Sequence, residues 1–344
     1  MRAAVYETHR GPITVQTVAD PTPAPDGVVL KVEANGICRS DWHAWVGHDP
    51  VELPHVPGHE CVGTIVEAGR DVRRWRRGDR VIVPFSIGCG HCDHCRDGHS
   101  NVCGSAWTPG FSGWGSFAEL VGIRHADANL VALPAETGAV EAASLGCRFM
   151  TAYWGLTRRG RLAPGEWVAI FGVGGLGLAA VMIAKAVGAA VVAIDIDDAK
   201  LDFARTLGAD VAVNAKRDTV ADAVRAATGG GAHVTFDALG SKTTALEAIR
   251  SLRRRGRHVQ AGLLYDENAS PPVPLEHAIA WELDIVGSRG MPASAYPAML
   301  TMVNRGLVQP ARLVTERVSL ERACEILPAM DGYTTQGVVV IDRF

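Results

Sequence analysis

The chain has 344 residues, of which 47% are hydrophobic and 21% charged, and its formal net charge is −3 at pH 7. This length exceeds one ordinary hydrophobic core and predicts two domains. The near-neutral charge argues against a nucleic-acid-binding protein. The N-terminus lacks the apolar segment of a signal peptide. The most apolar stretch, residues 176–194, contains Lys185 and Gly188, which favours buried packing over a membrane span. We therefore expect a cytoplasmic protein whose eight cysteines stay reduced.

The first 150 residues are rich in glycine, proline and short β-branched runs, which predicts a compact, mostly-β domain with long functional loops. Its clearest predicted strands are residues 28–34, 61–67 and 80–84.

After residue 165, short apolar strands alternate with helical segments. The predicted strands are residues 167–171, 191–194, 211–213, 233–236, 258–261 and 284–286. The predicted helices between them are residues 176–187, 199–207, 219–227 and 243–252. This alternation is typical of a doubly wound parallel sheet. Two amphipathic helices and a closing strand are predicted to follow, at residues 296–304, 320–330 and 337–341.

A cysteine ladder with the spacing C-x2-C-x2-C-x7-C is formed by Cys89, Cys92, Cys95 and Cys103. Four thiolates on one short polar loop suit a tetrahedral zinc ion, which would order a loop that has no core of its own. Since no coordination position is left for water, this zinc would be structural. An iron–sulfur cluster is the alternative for four cysteines. Zinc is favoured because a second zinc-like set of residues lies elsewhere in the chain.

That second set is spread over three segments, which contain Cys38, His59 and Cys147. Each residue alone is typical of an ordinary buried side chain. Together, two thiolates and one imidazole would supply three protein ligands and leave one position open. This is the arrangement that a catalytic zinc requires.

A glycine-rich turn lies between the predicted strand at residues 167–171 and the following helix, and its sequence is Gly172-Val173-Gly174-Gly175-Leu176-Gly177. The first glycine of G-x-G-x-x-G allows the tight turn, the second a close approach of pyrophosphate, and the third close helix packing. Asp195 ends the next strand, 23 positions after Gly172. A carboxylate there accepts hydrogen bonds from ribose hydroxyls and repels a 2′-phosphate. No arginine occupies the two positions after Asp195, so we expect NAD rather than NADP.

With these motifs and the stretch Gly58-His59-Glu60-Cys61-Val62-Gly63 running to Gly69, the sequence resembles the zinc-containing medium-chain alcohol dehydrogenases over essentially the whole chain. The resemblance implies an α/β protein with a GroES-like catalytic domain, residues 1–148 and 287–344, and a Rossmann NAD-binding domain, residues 149–286. It implies that Cys38, His59 and Cys147 hold the catalytic zinc, a ligand set for which alcohol dehydrogenase is the general example. Glu60 would be an occasional ligand. The expected cofactors are two zinc ions per chain and NAD.

The same resemblance assigns roles around the catalytic zinc. Asp41 would accept the second ring N–H of His59 and fix its tautomer. Ser40 would take the substrate proton and pass it through the cofactor ribose to His43 and solvent. Arg39 would lie against the cofactor pyrophosphate, and Lys200 would contact the ribose.

Three aromatic residues are candidates for the alcohol channel: Phe85, Trp114 and Trp107, the last being equally typical of a core residue. Ser40 replaces the threonine of many relatives and leaves room for a medium-sized or aromatic primary alcohol. The resemblance further implies a small-molecule alcohol or aldehyde as substrate and a homo-oligomer, with a tetramer favoured over a dimer. Cys61 and Cys324 lie in apolar strings and are interpreted as packing residues.

The expected reaction is the reversible oxidation of primary or secondary alcohols to aldehydes or ketones. Zinc lowers the pKa of a bound hydroxyl, so an alkoxide forms near neutral pH and can give its hydride to the nicotinamide. Polyol, threonine and formaldehyde dehydrogenases of the same superfamily remain alternatives. A zinc-free quinone or enone reductase would lack both the Cys38/His59/Cys147 set and the acid at Asp195. A non-catalytic zinc scaffold would explain the cysteine ladder but not the open set beside Ser40 and His43.

Overall fold

A computed structural model describes residues 1–333 and 335–344. The chain divides into two compact units. The first unit contains Met1–Met150, Met291–Asn304 and Pro310–Phe344, and the second contains Thr151–Gly290 and Arg305–Gln309. In the described residues, we find no helix with the length and apolarity needed to cross a membrane.

Strands and helices of both units are numbered in chain order. The strands are β1 (Arg2–Val5), β2 (Thr14–Thr17), β3 (Val28–Ile37), β4 (Glu60–Ala68), β5 (Arg80–Ile82), β6 (Leu120–Ile123), β7 (Val131–Ala132), β8 (Trp167–Phe171), β9 (Ala190–Asp195), β10 (Val211–Asn214), β11 (Ala232–Asp237), β12 (Leu252–Gln260), β13 (Asp284–Gly287), β14 (Val314–Ser319) and β15 (Val338–Arg343). The helices are α1 (Arg39–Val46), α2 (Asp93–Arg96), α3 (Ala126–Asn129), α4 (Ala139–Ala143), α5 (Arg148–Trp154), α6 (Gly175–Val187), α7 (Asp198–Thr206), α8 (Val220–Thr228), α9 (Lys242–Arg250), α10 (Leu275–Trp281), α11 (Tyr296–Asn304) and α12 (Leu320–Ala329).

The second unit contains a parallel sheet with the strand order β10-β9-β8-β11-β12-β13. Ile170, Val192 and Phe236 are fully buried in it, as expected for parallel strands that are covered on both faces. The strand order reverses between β8 and β11, and ligands of such sheets bind outside the carboxyl ends of the strands at this point. The predicted doubly wound sheet is therefore confirmed, and the glycine turn follows β8.

The first unit is mostly β, as predicted. Its larger sheet has the order β14-β15-β3-β4-β5-β7, and β6 also pairs with β3. The central strand β3 is antiparallel to β4, β6 and β15. Buried Leu30, Ile65 and Ile82 contribute to the core of this sheet. Because β3 ends at Ile37, β4 begins at Glu60 and α5 begins at Arg148, the residues Cys38, His59 and Cys147 all lie at the ends of elements.

Several parts of the structure differ from the sequence-based prediction. The predicted helix over residues 243–252 ends at Arg250, because buried Leu252 begins β12 and pairs with Ala232. The predicted strand at residues 258–261 is the second half of β12, which a register shift interrupts. Helix α1 was not predicted, because its eight residues are too few for a clear helical periodicity.

Candidate active site

Cys38, His59, Glu60 and Cys147 form one cluster, in which a ligand atom from each lies within 4.8 Å of those of the others. Cys38 is the N-cap of α1 and has an extended backbone, with φ −116° and ψ 152°. Cys38 is 4% exposed and His59 is 1% exposed. The fold therefore brings the three predicted ligands and Glu60 together in a buried position.

Asp41 holds two of these segments in place. Its Oδ2 accepts the backbone N–H of Cys38 at 3.0 Å, and its Oδ1 accepts the backbone N–H of Gly58 at 3.0 Å and Nδ1–H of His59 at 2.8 Å. Because a carboxylate only accepts, His59 donates its Nδ1 proton to Asp41, and Nε2 is the ring nitrogen left to bind a metal.

The Nε2 atom of His59 is the strongest sign that the cluster is built for a metal. It is buried and has no hydrogen-bond partner among the described residues. A buried polar atom without a partner is costly, and a metal ion at the two neighbouring sulfurs would satisfy it. The donor set of two thiolates and one imidazole is one that zinc prefers.

The electrostatic environment favours ionised sulfur at Cys38. A hydrogen bond with Cys147 holds the pKa of Cys38 well below its usual range, against the effect of burial. The positive charge of Arg148 and the ring of His59 lower this pKa further. The thiolate, which is the form that binds a metal, is therefore favoured at Cys38.

Arg148 was not predicted as a site residue, although it directly follows Cys147. Its backbone N–H and its Nε donate to Glu60 Oε1 at 3.1 Å and 3.0 Å, and its Nη2 donates to Glu60 Oε2. Burial raises the pKa of Glu60, and Arg148 opposes this effect. The predicted occasional ligand Glu60 is thus held by a guanidinium. An arginine directly after a candidate ligand was the only sequence signal for this pair.

The four-cysteine ladder also forms a cluster, with its sulfurs within 4.8 Å of one another. Cys92 Sγ lies 3.7 Å from Cys103 Sγ, and Cys89 Sγ lies 4.0 Å from Cys95 Sγ. Four sulfurs at about 2.3 Å from a tetrahedral ion lie about 3.8 Å apart, whereas a disulfide needs about 2.05 Å. The cluster fits a zinc ion with no open position. Backbone N–H groups of His91 and Cys92 lower the pKa of Cys89 to about 6.

The predicted proton-relay residues lie on α1. Ser40 Oγ is 3.8 Å from Cys38 Sγ, so it borders the buried cluster. Nδ1 of His43 is 2.9 Å from Nδ1 of His48, a neighbour that was not predicted. Burial, followed by the charges of Arg39 and His48, lowers the pKa of His43 to about 4.

Arg39, the predicted pyrophosphate contact, is held by aromatic rings. Its guanidinium carbon lies 3.6 Å from the ring centroid of Trp42 and 3.9 Å from that of Tyr333. Its Nη1 also donates to the carbonyl of Met330. These contacts fix the direction in which its remaining donors point.

The glycine turn has the geometry of a phosphate-binding turn. Gly172 has φ 82°, and its N–H donates to the carbonyl of Ile194 at 2.8 Å. A Cβ at Gly177 would lie 1.9 Å from the Gly172 carbonyl oxygen, whereas a Cβ at Gly174 would meet no atom within 4 Å. Packing therefore explains Gly177, and open space for a ligand explains Gly174. Gly175 and Leu176 begin α6, whose N-terminus attracts anions.

Asp195 lies beside this turn at the end of β9. Its Oδ2 accepts the N–H of Val173 at 2.9 Å, and its Oδ1 accepts the N–H groups of Ile196 and Asp197 at 2.7 Å and 3.1 Å. Lys200 is half-buried on α7. The carboxylate is thus fixed where the strand reaches its carboxyl end.

Among the aromatic residues, Phe85 and Phe111 lie edge-on to the His59 ring, with centroids 6.2 Å and 5.3 Å away. Phe111 was not predicted. Trp107 packs against a core cluster that includes Ile87. Trp114 is 39% exposed, and its Nε1 donates to the Pro54 carbonyl. The structure therefore places Phe85 and Phe111 against the ring of the candidate ligand His59. Trp107 and Trp114 make their contacts elsewhere.

Comparison with known proteins identifies two matching families. The family described as "Alcohol dehydrogenase GroES-like domain" matches residues 24–135, and the family described as "Zinc-binding dehydrogenase" matches residues 175–305. An alcohol dehydrogenase of Geobacillus stearothermophilus is 40% identical over 291 residues, which are 84% of this chain and 84% of the relative. A sorbitol dehydrogenase of Bacillus subtilis is 32% identical over 331 residues, 94% of this chain and 91% of the relative.

A solved structure, the alcohol dehydrogenase TADH from Thermus sp. ATN1, superposes with a TM-score of 0.93 at 31% identity and covers 100% of both chains. The architecture, both family matches and these relatives agree. The chain belongs to the zinc-containing alcohol dehydrogenases of the medium-chain dehydrogenase/reductase superfamily.

Proposed function

We propose that this oxidoreductase catalyses the reversible oxidation of primary or secondary alcohols to aldehydes or ketones with NAD. The unpartnered, buried Nε2 of His59 beside the Cys38 and Cys147 sulfurs is the observation that carries the proposal. These three residues would hold a catalytic zinc ion, and Cys89, Cys92, Cys95 and Cys103 would hold a structural one. When bound, the catalytic zinc would lower the pKa of an alcohol hydroxyl or polarise a carbonyl, and NAD would exchange hydride with the substrate carbon.

Residues of this chain would orient the zinc ligand His59 and transfer the substrate proton. Asp41 orients His59 and keeps its proton on Nδ1. Ser40, at the edge of the cluster, would accept the alcohol proton. His43, on the same helix as Ser40, would receive that proton. Burial and the charges of Arg39 and His48 lower its pKa to about 4, so the imidazole would be neutral at physiological pH and would pass a proton on to solvent rather than keep it.

An apolar alcohol is the proposed substrate class. Phe85 and Phe111 present ring edges to His59, so the surroundings of the metal ligands favour a medium-sized or aromatic alcohol. The similarity to sorbitol dehydrogenase favours a polyol as the second candidate. A polyol would need polar partners for its additional hydroxyls, because unpaired buried hydroxyls lose affinity.

An oxidation assay with NAD and a panel of alcohols tests both candidates. We expect a higher kcat/KM for benzyl alcohol than for ethanol or sorbitol. A preference for sorbitol would replace the first candidate with the second. Absence of turnover with every alcohol would contradict the proposed function.

NAD is proposed over NADP because of Asp195. Its fixed carboxylate would accept ribose hydroxyls and repel a 2′-phosphate. The Asp195→Ala variant should weaken NAD binding and reduce the discrimination against NADP. Lys200 and Arg39 would contribute contacts to ribose and pyrophosphate, as in relatives. An unchanged ratio of kcat/KM for the two cofactors would remove Asp195 from the cofactor site.

A homo-oligomer, a tetramer before a dimer, is also proposed. In the described part of the second unit, β13 ends the parallel sheet. Ile285 on this strand is 39% exposed, and Leu275 and Ile279 on α10 are 63% and 80% exposed. An exposed strand edge beside apolar side chains favours association with a second copy. Light scattering should show an oligomer for the parent and a smaller species for Ile279→Glu, and a monomeric parent would contradict the proposal.

A further inference from the structure

A buried ion pair beside the metal ligands has no role in the proposed proton relay. Glu60 directly follows His59, and Arg148 directly follows Cys147. Each member of the pair is thus the chain neighbour of a ligand. Glu60 is fully buried and Arg148 is 8% exposed. The ion pair therefore joins the start of β4 to the start of α5, the two elements next to these ligands.

The Glu60 carboxylate is close to the metal cluster but already engaged. One of its oxygens lies within 4.8 Å of the other ligand atoms, so a modest movement would bring it to a metal ion. Three N–H groups of Arg148 donate to its two oxygens. Moving the carboxylate to the metal would break these charge-assisted bonds and leave a buried guanidinium without its partner, which is strongly unfavourable.

Strand β3, which pairs with β4, leaves space for this ion pair at Gly36. Gly36 on β3 pairs with Glu60 on β4. A Cβ at Gly36 would lie 2.2 Å from Glu60 Oε2 and 3.0 Å from Arg148 Nη2. The absence of a side chain at this position therefore leaves the space that the carboxylate and the guanidinium fill.

We propose that Arg148 is a positioning residue that keeps Glu60 out of the coordination sphere of the catalytic metal and so leaves the fourth position to the alcohol oxygen. The inference rests on the proposed function, because it concerns the same metal centre. Two thiolates already balance the charge of Zn²⁺, so a carboxylate as a further ligand would weaken the metal as a Lewis acid. Arg148 prevents this by holding the carboxylate with donors of its own.

The test is the visible absorption of the enzyme with Co²⁺ in the catalytic site, because its ligand-field bands change in position and intensity when one ligand is exchanged for another. Arg148→Met should change these bands, since the released Glu60 occupies the fourth position. Imidazole, a neutral probe of the fourth position, should then bind about tenfold more weakly. A parent-like spectrum and parent-like imidazole affinity in Arg148→Met would overturn the proposal.

Two further variants separate positioning from mere stability. The double variant Arg148→Met/Glu60→Gln should recover the parent spectrum, because an amide is a poor ligand for the ion. Arg148→Lys keeps the charge but loses the planar set of donors, so its spectrum should be intermediate. It also serves as the measurable variant if Arg148→Met does not fold. A double variant that keeps the spectrum of Arg148→Met would contradict the role of Glu60 as the intruding ligand.

The control is Arg257→Met, which removes the largely buried Arg257–Glu166 ion pair of the second unit. It should lower stability and leave the cobalt spectrum unchanged. Failure of the parent to bind Co²⁺ or Zn²⁺ at Cys38, His59 and Cys147 would contradict the proposed function itself. Metal binding whose spectrum does not depend on Arg148 would contradict only this inference.

Discussion

The two cysteine clusters of the first unit offer similar ligand atoms in opposite surroundings. The ladder from Cys89 to Cys103 lies on one loop, and its helix α2 has no buried residue. The cluster of Cys38, His59 and Cys147 is collected from segments far apart in the sequence and is buried at the ends of β3, β4 and α5. The ligands of the ladder are close together in the sequence and lie near solvent. Those of the buried cluster are far apart in the sequence and are enclosed.

The difference lies in what holds the ligands. In the buried cluster, Asp41 and the Glu60–Arg148 pair fix the ligands through hydrogen bonds that do not involve a metal. In the ladder, the contacts are among the ligands themselves: the backbone N–H groups of Cys92 and Cys89 point to Cys89 Sγ and Cys103 Sγ. Loss of the metal should therefore disturb the fold at the ladder and the chemistry at the buried cluster.

Cys147→Ser should have the largest effect. Because it removes a ligand of the buried cluster, kcat/KM for alcohol oxidation should fall by about 10³-fold or more. Elemental analysis should show one zinc ion fewer, and circular dichroism should show an unchanged fold. The control is Cys324→Ser, which replaces a half-buried cysteine of α12 and should keep full activity. Retained turnover in Cys147→Ser would remove this residue from the ligand set.

Cys95→Ser should show the reverse pattern. Without its metal the loop has no core, so the free energy of unfolding should fall by about 4 kcal/mol. Limited proteolysis should cleave between residues 88 and 104, and one zinc ion should be lost. The protein that remains folded should lose less than about tenfold in kcat, since the buried ligands keep their hydrogen-bonded frame. Loss of activity equal to that of Cys147→Ser would break the distinction between the clusters.

Asp41→Asn tests the hydrogen-bonded frame itself. An amide cannot accept from all three N–H groups that the carboxylate now binds, so His59 should lose its fixed tautomer. Zinc affinity or kcat/KM should fall about 10- to 100-fold. The control is Asp127→Asn, because Asp127 on α3 also accepts two backbone N–H groups, from Arg73 and Arg74, but does not belong to the buried cluster. Equal zinc titrations for the two variants would show that Asp41 has no special role.

The same contrast explains how far the sequence could be interpreted. The four cysteines of the ladder are neighbours in the sequence, so their spacing predicts the cluster directly. The strand, turn and helix around Gly172 are also consecutive in the sequence. The strands of the parallel sheet are visible because buried apolar runs alternate with helices. Grouping Cys38, His59 and Cys147 required a family resemblance, since nothing local relates them.

Residues that depend on tertiary neighbours escaped prediction. The local sequence does not predict a partner for Arg148, because Glu60 lies 88 positions away in the chain and only the fold brings the two side chains together. Phe111 lies in an irregular loop, where periodicity gives no indication of its contact with His59. The same holds for Leu252, which continues a helical pattern but begins a strand because Ala232 pairs with it.

The smallest expected effect concerns pH and a histidine near the buried cluster. Burial, together with the charges of Arg39 and His48, lowers the pKa of His43 from 6.5 to about 4. Above pH 6.5 this residue is neutral in both the folded and the unfolded chain. As the pH falls from 6.5 towards 4, the unfolded chain takes up a proton that the folded chain does not, so folding loses stability.

His43→Gln should remove that loss. Between about pH 7 and about pH 5, the free energy of unfolding of the parent should fall by about 1 kcal/mol more than that of the variant. This figure allows for the partial exposure of His43. Urea titrations at a series of pH values measure it. His91→Gln replaces an exposed histidine of the ladder and should reproduce the pH dependence of the parent. A parent-like slope in His43→Gln would contradict the lowered pKa of His43.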